Sequence, residues 1–179
     1  MKHLDVLMPG QELTALGCLA RADWTAIHLV GHSQQVRPLE IRTSAAMIRG
    51  DRTWLVEVMP VDIAPKVEVF RLGVREGAAE DLRNEGPASR LSADAGEFLA
   101  AFVGRHRQVL LGTRVHSSPD WQRLGIPSVW VDDVLVLKDS SGQRALLTPD
   151  PDHPGGLLIS RALSDLEDQS VPVERLLVI

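Results

Sequence analysis

The chain has 179 residues, 44% of them hydrophobic and 24% charged, with a formal net charge of −5. That length suits one domain or two small ones, and it buries enough surface to fold without a metal or a disulfide. The acidic balance removes any generic attraction to nucleic acid or to an anionic membrane surface. No apolar run approaches the roughly 20 residues of a membrane-spanning helix. The first residues, MKHLDVLMPGQEL, lack the apolar centre of a secretion signal. Cys18 is the only cysteine, so no internal disulfide can form. The expectation is a cytoplasmic protein, with no cofactor and no bound metal. Lysine occurs only at Lys2, Lys66 and Lys138, a preference for arginine that reads as bacterial coding bias.

In chain order, residues 11–22 (QELTALGCLARA) place Leu13, Leu16, Leu19 and Ala20 at helical spacing, with Cys18 expected as a small buried residue. Residues 24–30 read as a short strand. Residues 39–48 and 52–61 read as strands joined by a turn at Gly50 and Asp51. Residues 66–74 alternate as a half-buried strand. The charged, glycine-containing stretch at 77–91 reads as a linker. Ser92 is placed to cap a second helix over 93–106. Strands follow at 109–115, 128–138, 144–148 and 173–179, with a loop or short helix at 117–124 and a stiff loop DPDHPGG at 150–156.

The fold class expected is α+β, mostly antiparallel sheet with packed helices. Both halves run helix, strand, hairpin, proline-marked loop, strand. At an offset of 89, Pro38, Pro60 and Pro65 fall on Pro127, Pro149 and Pro154. A tandem duplication would give two similar lobes, 1–76 and 92–179, joined by 77–91. Without it, 1–179 is a single domain.

Several fragments of catalytic or metal-binding sets are present. IHLVGHS over 27–33 resembles the nucleophile elbow of the α/β-hydrolases, with Ser33 as the serine. The second glycine of that elbow is replaced by Gln35, and only about 23 residues precede the strand. His28 and His32 stand four apart, a zinc spacing on a helix. On a strand the same spacing separates them by about 13 Å. Asp150, Asp152 and His153 could hold a hard or borderline divalent ion, but Pro149, Pro151 and Pro154 also explain that loop as a connector. Pro119–Asp120 followed by VWVDDVLVLK resembles the PD…(D/E)xK nucleases, but the residue two before Lys138 is Val136, not an acid. GIPSV around Pro127 resembles the cis-proline region of thioredoxin-like proteins. No C-x-x-C exists to carry disulfide exchange.

No complete reaction centre emerges. The expected role is therefore non-catalytic: a protein-binding adaptor, small chaperone or assembly subunit. It would act through sheet edges and exposed tryptophans, with Trp54, Trp121 and Trp130 as contact residues. The order of elements resembles that of acidic secretion chaperones of bacteria. A protein partner is expected, with a homodimer as one form of it. The competing expectation is a metal-dependent or serine hydrolase using Ser33 or the His28, His32 and Asp152 groups.

Overall fold

The computed structural model describes residues 3–31, 33–37, 40–77, 93–104, 107–161 and 173–179. The chain opens with β1 (Leu4–Val6) and α1 (Gly10–Arg21). Strands β2 (Ala26–Val30), β3 (Gln34–Arg37), β4 (Glu40–Thr43), β5 (Ala45–Arg49), β6 (Thr53–Ala64) and β7 (Val67–Glu76) follow. Beyond the unassigned stretch lie α2 (Ala93–Ala100), β8 (Arg107–His116), α3 (Pro119–Arg123), β9 (Val129–Asp139), β10 (Arg144–Pro149), β11 (Leu157–Arg161) and β12 (Val173–Val178). The protein is thus α+β and dominated by antiparallel sheet.

The described residues form two sheets. The first runs β2-β5-β6-β7, antiparallel throughout. The second runs β12-β8-β9-β10-β11-β4-β3, and β1 joins it parallel to β9. The stretch 39–48, expected as one strand, is broken at Ser44: β4 belongs to the second sheet and β5 to the first. The β3–β4 hairpin is therefore an excursion. The chain leaves the first sheet at Gly31 and returns at Ser44, and these two corners touch. Gly31 has φ +80, and a Cβ on it would lie 2.4 Å from Ser44 Oγ, so only glycine fits the corner.

Pro60 sits inside β6, where a proline needs a free side. It has one: β5 pairs with β6 only as far as Glu57, and beyond that β7 is the sole partner. The hairpin then closes through Pro65 and Lys66, with Lys66 at φ +64.

Helix α1 docks by its Leu16 and Leu19 face, and Arg71 of β7 donates to both Glu12 carboxylate oxygens at 2.6 and 2.9 Å. Cys18 lies off the buried stripe and is exposed, which corrects the expectation that it packs inside. The largest core cluster joins Leu16 and Leu19 to Ile48, Trp54, Val56 and Leu72, and also to Phe98, Phe102, Leu111, Leu135, Leu147 and Ile159. It draws on both sides of 77–91; apart from Gly77, that segment lies outside the described residues.

Candidate functional site

Strand β9 carries two adjacent aspartates, and a bulge separates their duties. Gly112 pairs with Val134 and Thr113 with Asp132, so Asp133 is the extra, unpaired residue of the ladder. Asp132 accepts the Thr113 hydroxyl at 2.6 Å and the Met8 backbone N–H at 2.9 Å. Asp133 turns to the opposite face. It accepts Arg114 Nε and Nη2, both at 2.8 Å, and lies 2.6 Å from His116 Nε2. Arg114 and His116 share a face because they stand two apart on β8. The carboxylate is the acceptor, so His116 Nε2 carries the proton and Nδ1 is left over.

This group forms part of the wall of a cavity of about 560 Å³. Its described lining comprises Glu68, Val69 and Phe70 of β7, Val131 and Asp133 of β9, and Trp121 of α3. The chain from Thr148 to Asp150, Pro151, Pro154 and Leu158 closes the far side. Trp121 reaches the cavity because Ser118 caps α3, its Oγ accepting the Asp120 N–H, with Pro119 in the first turn.

A second charged group stands at the loop side. Arg42 approaches buried Asp150 to 2.9 Å and also pairs with Asp152. The Arg42 Nε and Asp150 Oδ2 atoms meet as an ion pair but out of hydrogen-bond alignment, since neither has a hydrogen-bond partner. His153 Nδ1 lies 3.3 Å from the same oxygen, and the Asp152 N–H donates to Asp150 Oδ1 at 2.9 Å. The loop carboxylates weighed against a connector reading as metal ligands are engaged by Arg42. Among the described residues no group of three histidine, cysteine or acidic side chains stands close enough to hold a metal ion.

The other candidates fall elsewhere. Ser33 is buried, 3.0 Å from Thr43 Oγ1, which also lies within hydrogen-bond reach of the Val30 and Ala45 carbonyls. The segment resembling a nucleophile elbow leads from strand to strand, not from strand to helix. Its serine ties the corner at which the chain changes sheet. His28 lies on β2, paired opposite Met47, and His32 is outside the described residues. Trp54 is 3% exposed and belongs to the main core, which corrects its assignment as a surface contact. Its ring faces inward because β6 is covered there by β5 and β7 on its flanks and by the core on one face. Trp130 is half-buried with its ring edge-on to His3 at 5.8 Å. Asp120, of the nuclease-like pair, is bound to Arg123 at 2.9 Å within α3. Pro127 is not cis.

Sequence reasoning missed Arg114, His116 and Asp133 as a set. A signal existed: R-x-H on one strand and D-D on the next place like faces together once the strands pair. The pairing register and the bulge were needed to choose Asp133 over Asp132.

One further cation is set into the structure. Arg107 lies 3.5 Å over the Trp24 ring and donates to the Ala22 carbonyl at the end of α1. Burial pushes its pKa down to about 10, opposed by the nearby Asp23 carboxylate. No protein-family model, curated protein or solved structure matches the chain.

Proposed function

We propose that the chain is a non-catalytic protein-binding subunit, an adaptor or small chaperone, that holds a segment of its partner in the cavity beside Trp121. One observation carries this reading. Most polar groups at the cavity are committed to one another, Asp133 to Arg114 and His116, and Asp150 to Arg42. Apart from exposed Glu68 and buried Thr148, the remaining walls are aliphatic, aromatic and proline surface. Such a surface adheres more readily than it reacts. The single observation favouring a hydrolase is His116 set on a carboxylate, as a general base would be. Thr148 is the only hydroxyl-bearing side chain of the described lining, and it is buried. Ser33 belongs to the sheet corner.

A photo-crosslinking residue at Leu158, in the cavity wall, tests this in the native cell. A discrete adduct absent from the same substitution at exposed Leu124 is expected. Equal or no adducts at both positions would refute it.

We also infer that the two halves descend from one repeated unit. The support is topological: β2-β5-β6-β7 and β8-β9-β10-β11 are four-stranded antiparallel arrays in the same order, each preceded by a helix. Pro60 and Pro149 both sit on their third strands. Cytoplasmic residence is part of the proposal, in keeping with an exposed, unpaired Cys18. So is a homodimer as an alternative partner, for which the β12 edge with exposed Leu176 and Leu177 offers a surface.

A further inference from the structure

The cavity is unbalanced in charge. Its described lining contains three carboxylates, Glu68, Asp133 and Asp150, against one guanidinium, Arg114. Arg42 offsets Asp150 from behind, but it is shared with Asp152. Glu68 makes the imbalance sharper. It stands directly opposite Asp62 across the β6–β7 hairpin, and like charges at that position repel. Among the described residues Glu68 has no ion pair.

Two of the five Arg114 N–H groups are already engaged, while Glu68 is left as an acceptor. Arg114 Nε and Nη2 both point at Asp133, and His116 gives its Nε2 proton to the same carboxylate. Trp121 and Phe70 add aromatic rings to the same lining. An entering anion would meet the carboxylates of Glu68 and Asp150. An entering cation would meet acceptors, relieve the Asp62–Glu68 repulsion and stack on an aromatic face. The protein already stacks a guanidinium on an indole, at Arg107 over Trp24.

We infer that the cavity takes a lysine or arginine side chain of an extended partner segment, flanked by apolar residues that pack on Val69, Phe70 and Leu158. This deepens, and rests on, the protein-binding role proposed above.

The test uses the full chain labelled with ¹⁵N and three tripeptides, N-acetyl-Leu-X-Leu-amide with X as arginine, glutamine or glutamate. The readout is the Trp121 indole N–H resonance, assigned by its loss in Trp121→Phe. The arginine peptide is expected to shift it saturably and to bind about tenfold more tightly than either the glutamine or the glutamate peptide. Glu68→Gln should cut that preference about threefold without loss of spectral dispersion, since Glu68 is exposed. Equal binding of the glutamine or glutamate peptide would overturn the inference. So would saturation that leaves Trp121 unmoved, or no saturation by any peptide. An adduct from Leu158 alongside equal peptide affinities would leave the protein-binding role standing and remove only the charge preference. Loss of both would remove both.

Discussion

Two regions of this molecule each hold a tryptophan and an arginine, and they are built to opposite ends. At Trp24 the ring is 1% exposed, its Nε1 donates to the Leu19 carbonyl at 2.7 Å, and the Arg107 guanidinium lies over its face. The Gly104 N–H donates to the Trp24 carbonyl at 2.8 Å and closes the edge. At Trp121 the ring is only half-buried and lines open space, while Arg114 of the same lining is bound to Asp133. The same residue types thus serve closure in one region and leave a surface in the other. The difference lies in where the guanidinium finds its acceptors. Arg107 has helix-end carbonyls next to the indole; Arg114 has a carboxylate supplied by a strand bulge.

Breaking the closed region should have the largest effect. Trp24→Ala removes a fully buried aromatic and strands part of Arg107, and is expected to cost about 3–5 kcal/mol in urea denaturation. A loss under about 1 kcal/mol would show that the region is not a structural clamp. The cavity should break next most severely at its ion group. Asp133→Ala leaves Arg114 and His116 without their acceptor and is expected to cost about 3 kcal/mol, Asp133→Asn less, because an amide oxygen still accepts. If alanine there proves neutral, the Asp133 group does not shape the wall.

The contrast sharpens at Trp121. Trp121→Ala should change stability by less than about 1 kcal/mol, while the adduct from Leu158 is lost. Destabilisation equal to that of Trp24→Ala would erase the distinction drawn between the two sites. The smallest effect concerns pH. Arg107 has a folded-state pKa lowered to about 10, well below its ordinary value, so above pH 10 the folded state releases this proton before the unfolded state does. Stability should then rise with pH in that window, by less than about 1 kcal/mol because the group is partly solvated. The chain has no tyrosine, which keeps the alkaline range clear of phenol titration. The comparison is wild type against Arg107→Met at pH 9 and 11, where the variant should show no such rise.

The helix at α1 was legible because its apolar spacing has one period and one buried face. Strands β6 to β10 were legible from alternation and turn residues. Strand β3 was not: QQVR carries no apolar alternation and is held by pairing with β4. Leu4–Val6 is a strand only because β9 offers it a parallel edge. Trp54 and Trp121 could not be told apart in advance. Each sits in a mixed polar and apolar context, and burial is decided by what packs on top.

Local chemistry alone determined an antiparallel, sheet-dominated α+β chain with short helices, because periodicity and turn preference act over a few residues. It also determined that Gly50 marks a turn. Which sheet each strand joins was decided only by the tertiary structure. The corner at Ser44, the bulge at Asp133 and the sharing of one cavity lining by Glu68 and Trp121 all depend on pairings between residues far apart in the chain. Those pairings carry no local signature, since their free energy comes from surfaces that exist only once the chain has folded.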